Sequence, residues 1–292
     1  THPATLNLRK KVRGALKTAE KHYTEAASLY ERKDMLRAEA ECSQALDVFP
    51  TDADAVKLQQ HVKRVLALAE KHHDEAKARF TQRDFLGALD ACARTLSVFA
   101  THGAAMELRW EAYFAQAGSL RSQKLFAEAI PQFDKAISAC IASSKNQGGF
   151  QPPQKLFQAT QEAAQRQGRC HNEKGECSLE LNHLDDAIAS FQTGLKHCVG
   201  DAHFQLNLAT ARLRKAMLRH GEVLTGAAFH GQLKLLAAAQ KSLRDVDRCS
   251  PTASQVSSRN EMGTTLGSEL ELMSTQAVQR GQALHSSADT SA

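Results

Sequence analysis

Histidine and cysteine side chains can do chemistry on their own, and two short stretches concentrate them. Cys170, His171 and Cys177 fall within CHNEKGEC, while His72 and His73 are adjacent, with His22 fifty residues before His72. Zinc is the first chemistry to test, because thiolates and imidazoles are its ligands. On a helix, Cys170 and Cys177 share a face. Seven residues separate them by about 10 Å along the axis, too far for both to lie about 2.3 Å from one ion. Adjacent histidines point about 100° apart, and no His-Glu-x-x-His spacing exists. The cysteines therefore read as core thiols and the histidines as solvated or partly packed side chains. Nucleophile elbow, phosphate loop, dinucleotide fingerprint and paired carboxylates are all missing from the sequence. The expectation is a segment with no catalytic residue, no metal, no cofactor and no small-molecule substrate.

Whatever positions these residues is helical. Hydrophobic residues make up 42% but aromatics only 5%, a composition of helices rather than sheets. Two-residue alternation is almost absent, while apolar residues recur every three or four. The net charge of +5 is spread along the chain, without the clustering that marks a nucleic-acid groove. No apolar run is long enough to span a bilayer. Seven cysteines at irregular spacing do not form a disulfide framework, so reduced thiols and a cytoplasmic location are expected. The chain begins with Thr1, which reads as an excised or processed piece whose targeting segment could have been lost.

The elements repeat. AEKHYTEAASLYERKDMLRAEAECSQALDVFPT, residues 19–51, returns as AEKHHDEAKARFTQRDFLGALDACARTLSVFAT, residues 69–101, and 16 of 40 aligned positions are identical through Leu58 and Leu108. Leu8, Val12, Ala15, Leu16 and Ala19 begin one stripe that continues through Ala26, Leu29 and Tyr30. Ala55, Leu58, Val62, Val65, Ala69 and Ala76 make the same stripe in the second copy. Each copy predicts a long helix of about 40 Å, a tight turn at ERKD or TQRD, and a short antiparallel helix. Pro50 closes the first pair, and Thr51-Asp52 offers a helix cap. Three less similar units follow, with SSKNQGGFQPP, residues 143–153, as the strongest loop signal.

The second halves of the units share a motif. Ala38-x3-Cys42-x2-Ala45, Ala88-x3-Cys92-x2-Thr95, Ala129-x3-Phe133-x2-Ala136, Ala187-x3-Phe191-x2-Gly194 and Ala239-x3-Leu243-x2-Val246 follow one another, and Pro50 and Pro251 close the first and last. This resembles the tetratricopeptide repeat, which has an Ala, an aromatic four residues later and a helix-ending Pro. LFAEAIPQFDKAI and HLDDAIASFQTGL match best. The first-helix signature is weaker: of His171, Lys174, Gly175 and Ser178 in the fourth unit, only the glycine fits. The period of 50 in the first two copies exceeds the family's 34, which adds about 24 Å of first helix and should make neighbouring first helices project as paired rods. The resemblance implies an all-α, right-handed superhelical solenoid of about five helix-turn-helix units. Their boundaries are near 1–50, 51–100, 101–142, 154–200 and 201–251, making one repeat domain over 1–251. A lone pair cannot bury both apolar faces, so stacking builds one continuous core. Met262, Leu266, Leu270, Met273 and Ala277 form a further stripe, expected to be a capping helix over 252–280 that covers the apolar end of the stack. A flexible tail is expected over 281–292.

Family resemblance also implies a function: a protein-interaction scaffold or adaptor that holds a partner peptide or helix in the groove formed by the first helices. Aligned onto this sequence, that face carries Glu20, Tyr23, Thr24 and Ala27, then Glu70, His73, Asp74 and Lys77, then Glu111 and Phe114. Arg169, Asn172, Glu173 and Glu176 continue it, followed by Leu206, Asn207 and Thr210. The family's carboxylate clamp, which grips Hsp70 or Hsp90 tails, needs asparagines and basic residues on successive first helices. Asn172 and Asn207 fit two slots, but Glu176 replaces an Asn and the basic pair is missing. Acidic groups in the first three units point to a basic or apolar partner segment. The co-chaperone role is the alternative, alongside an accessory domain of a larger protein. Oligomeric state is not legible from the sequence.

Overall fold

The structure, a computed structural model, describes residues 3–146, 153–218, 226–249 and 251–289. Among them are eleven helices and no strand. Four helices come from the two close copies: α1 (Pro3–Glu31), α2 (Met35–Val48), α3 (Ala53–Thr81) and α4 (Phe85–Val98). The next pairs are α5 (Gly103–Ser122) with α6 (Phe126–Asn146), α7 (Pro153–Glu180) with α8 (Leu184–His197), and α9 (Ala202–Met217) with α10 (Gly226–Asp247). The last helix is α11 (Ala253–Asp289).

The sequence dictates where these helices start. Asp52 Oδ1 accepts from the amides of Asp54 at 3.0 Å and Ala55 at 3.1 Å, capping α3. Asp201 does the same for α9, at 2.9 and 3.4 Å, each satisfying donors that a helix start leaves unpaired. Thr252 and Gln255 bond each other's backbone reciprocally ahead of α11, the capping-box arrangement. Four hairpin turns pass through a single residue at positive φ: Lys33 at 59°, Arg83 at 63°, Lys124 at 61° and Asn182 at 60°. None is glycine, so each turn carries a modest left-handed cost.

Burial explains the repeated motif. Its first position, Ala38, Ala88, Ala129, Ala187 or Ala239, is buried in all five pairs, and so is the next, Cys42, Cys92, Phe133, Phe191 or Leu243. Small residues at the first position let the two helices of a pair approach closely. The larger one at the second fills the space between them, and burying a Phe there contributes about 1.5–3 kcal/mol. Cys42 and Cys92 occupy equivalent, fully buried settings.

The chain divides into two compact units, one of Thr1–Gln116 with Ser138–Ala159, the other of Ala117–Ile137 with Thr160–Ala292. One continuous core was the expectation; the division instead falls inside α5, α6 and α7. Apolar residues point in several directions around α5, so Ala105, Met106, Leu108, Trp110 and Ala112 bury in the first unit and Ala117 in the second.

Within the first unit the long helices are shared lengthwise. The first half of α3 lies along α2, with Leu58, Val62, Val65 and Leu66 joining Met35 and Ala38 in one core. Its second half lies along α4, where Ala76 and Phe80 meet Ala91 and Cys92. The paired rods expected from α1 and α3 do not form, since these two helices barely touch and α2 stands between them.

The second unit holds most of α7 and all of α8 to α11, together with the end of α5 and the start of α6. Leu179, Leu184, Ala187, Phe191, Leu208 and Ala211 tie α7, α8 and α9 together. Two close approaches need glycine: a Cβ on Gly175 would lie 2.6 Å from the Phe191 ring, and one on Gly194 only 3.2 Å from the Gly168 carbonyl oxygen. Leu266 and Met273 of α11 bury against α9 and α10 beside Leu206, Leu213, Leu236 and Leu243.

Several boundaries differ from the sequence expectation. Ser143–Asn146 of the anticipated loop belong to α6 and Pro153 opens α7, a first-turn position where its missing amide costs nothing; 147–152 lie outside the described residues. GEVLTGAAFHG, residues 221–231, reads as a Gly-punctuated connection between helices, yet Gly226 to Gly231 are already in α10. α11 runs past Gly281 to Asp289, and the side chain of Ala277 is outside the described residues.

Candidate functional site

In the first unit the predicted face is only partly available. Glu20, Thr24, Glu70, Asp74, Lys77 and Glu111 are exposed, while Tyr23 and Phe114 are half-buried. Thr24 spends its hydroxyl on the Glu20 carbonyl at 2.8 Å, and Lys77 pairs with Asp74 at 3.3 Å. Phe114 stacks on Trp110 with centroids 5.5 Å apart.

His73 is a correction to the predicted face. It is buried, and its ring meets that of His102 at 4.9 Å. Burial pushes its pKa down, with Lys77 and His102 adding to the effect, so it is a neutral packing residue. Its neighbour His102 caps α5 by accepting from the Ala105 amide at 3.1 Å, and lies 3.3 Å from the Glu70 carboxylate. Sequence reading missed His102 altogether.

In the second unit the predicted residues converge on Glu176. Asn172 donates to Glu176 Oε1 at 2.9 Å, Asn207 donates to the same oxygen and to Asn172 Oδ1, both at 3.0 Å, and His203 Nε2 lies 3.1 Å away. Arg121 of α5 forms ion pairs with both Glu173 and Glu176. The shifts follow from this geometry. For Glu176, burial would raise the pKa, yet His203, Arg121 and Asn172 together hold it low. Glu173, with Arg121 as its main compensation, is pushed up by burial. The Glu176 hydrogen bond holds His203 above the usual imidazole value. Arg121 keeps a raised pKa against burial because two carboxylates face it.

This cluster is internally satisfied, which corrects two further expectations. Asn172 is buried rather than presented to a partner, and its amide, like that of Asn207, is committed to Glu176. Leu206 lies under α11, while the Thr210 hydroxyl bonds Leu206 O at 3.0 Å and reaches Met262 Sδ at 3.1 Å. Arg169 is exposed and lines a shallow groove with Gln165, His197, Asp201 and Phe204. Arg121 and His203 were missed, although i,i+4 spacing in Asn172–Glu176 and His203–Asn207 signalled shared helix faces.

Cys170 and Cys177 are fully buried, and burial pushes the Cys177 thiol up to about 11. It is therefore a neutral core thiol rather than a thiolate ligand. Among the described residues no group of three or more His, Cys, Asp or Glu is placed to hold a metal, and no helix is long and apolar enough to cross a membrane.

No family model and no curated protein matches the chain. Solved structures do. PilF of Pseudomonas aeruginosa is similar at 13% identity over 92% of this chain and 99% of its own, with a TM-score of 0.33. A thermophilic TPR protein of Thermus thermophilus is similar at 13% identity over 86% and 98%, with a TM-score of 0.29. The TPR2AB domain of yeast Sti1, solved in a complex with pHSP90, is similar at 11% identity over 85% and 99%, with a TM-score of 0.23. At these values the likeness carries no argument about what this chain binds.

Proposed function

We propose that this chain is a non-catalytic protein-interaction scaffold that holds a basic or apolar partner segment along the first helices of its N-terminal unit. The observation that supports this reading is the contrast in acidic groups between the two units. Glu173 and Glu176 are half-buried and paired with Arg121 and His203 within the second unit, whereas Glu20, Glu70, Asp74 and Glu111 are exposed on α1, α3 and α5 of the first, with Asp74 beside Lys77 and Glu70 beside His102. Exposed carboxylates on successive helices favour a cationic segment and repel an acidic tail. A carboxylate clamp of the co-chaperone type is disfavoured for a second reason: Glu176 occupies the donors of Asn172 and Asn207.

Calorimetric titration of the chain with a Lys/Arg-rich and a Glu-rich twelve-residue peptide tests the proposal. The basic peptide should bind, more weakly at high salt, and Glu70→Lys with Asp74→Lys should reduce its affinity at least tenfold. Equal affinity in that variant, or no binding of the basic peptide, would remove the reading.

A further inference from the structure

The first half of α1 carries an apolar stripe that nothing covers among the described residues. Leu8, Val12 and Leu16 are 62%, 50% and 44% exposed. Their counterparts fifty residues later, Leu58, Val62 and Leu66, sit in the first unit's core, and Val62 is fully buried. Spacing and chemistry are the same in the two helices; what differs is the neighbour. On α3 that half-helix is covered by α2, with Gln59 Nε2 donating to Ser43 Oγ at 3.0 Å.

The rim differs too. Arg9, Lys11 and Lys17 replace Gln59, His61 and Ala67, Arg13 stands where α3 has Lys63, and no acidic residue occurs between Pro3 and Ala19. We propose that the first half of α1 is a docking face for one amphipathic helix with an acidic edge, seated on Leu8, Val12 and Leu16 as α2 is seated on α3. Recognition of this kind places an apolar helix face on an apolar stripe, and the basic rim selects carboxylates on the incoming helix. An anionic lipid surface would feel the same charge. The stripe, however, has no aromatic residue for the headgroup level, and its register is that of a helix-packing face already used once in this molecule.

The test is fluorescence anisotropy of a dye-labelled peptide, α2 residues 35–48 carrying Ser43→Glu, titrated with the 292-residue chain. Binding is expected to weaken at least tenfold with Val12→Glu and with Arg9→Glu. For Arg9→Glu, a peptide carrying Ser43→Lys should restore it. Val12 and Arg9 are exposed, so both variants should melt as the wild type does, which separates lost docking from lost folding. Absence of peptide binding overturns the proposal, as does binding unchanged by Val12→Glu. If Val12→Glu instead abolishes only co-sedimentation with phosphatidylserine vesicles, the face belongs to a lipid surface and the proposal fails. If it abolishes only a dimer seen by sedimentation velocity, the face belongs to a second copy and the proposal fails equally.

Discussion

Replacing Gly175 with Ala sets two effects of known sign against each other. Alanine is the better helix former by about 1 kcal/mol, so an unobstructed site should gain stability. At Gly175 the added Cβ would lie 2.6, 2.8 and 2.9 Å from three carbons of the Phe191 ring. That ring is fully buried, and a close-packed aromatic ring cannot swing aside as a flexible chain end would. Overpacking of this kind costs about 1–3 kcal/mol, leaving a net loss of up to about 2 kcal/mol. Gly118, in the same unit, has no atom within 4 Å of where a Cβ would sit, and Gly118→Ala should gain close to the full 1 kcal/mol or so that the helix preference allows. Urea denaturation of both variants measures the difference, expected at about 1–3 kcal/mol. Adding Phe191→Leu to Gly175→Ala should then cost less than the two single changes summed. Should Gly175→Ala prove as stable as Gly118→Ala, the tight α7–α8 approach would be refuted.

Further expectations rest on the polar cluster, the last helix and the thiols. His203 has a raised pKa when folded, so its contribution is present below the unfolded value, about 6.5, and fades as pH rises through the folded value. His203→Gln should accordingly cost about 1 kcal/mol near pH 6 and less once the pH exceeds the folded value, and a pH-independent cost in denaturation curves would contradict this. Arg121→Met should destabilise by about 1–3 kcal/mol, reduced from a fully buried pair because Arg121 is partly exposed, and Glu173→Gln should recover part of it. Leu266→Ala with Met273→Ala should lower the melting temperature and raise hydrogen exchange in α9 and α10, where those side chains bury. Cys92 and Cys177, both pushed by burial to about 11, should resist iodoacetamide, with Cys198 and Cys249, only partly buried, alkylated first by mass spectrometry.

Periodicity made the helical hairpins legible, because Ala38, Cys42 and Ala45 and their equivalents recur at fixed spacing and must all face inward. Local chemistry also fixed the Asp52 cap. Other features depended on tertiary register. His73 and Asp74 are adjacent in sequence, yet one is buried and the other exposed, according to which side His102 approaches. Arg121 meets Glu173 across more than fifty residues, a pairing that no single-helix pattern encodes. Leu206 read as a groove residue because helix spacing could not reveal that α11 lies over it. The stripe of Leu8, Val12 and Leu16 read as core for a similar reason: spacing announces a face fit to be covered, not what covers it.

Sharing α3 between α2 and α4 has a consequence for how the first unit comes apart. A repeat that stood alone would open at its loops, like a page turned at the binding. Here the backbone of one rod is clamped at both ends by different neighbours, so detaching α2 should loosen residues 53–66 while 67–81 stay latched to α4. Slow and fast amide exchange would then meet in mid-helix, and the smallest piece able to open independently would straddle two copies of the repeat.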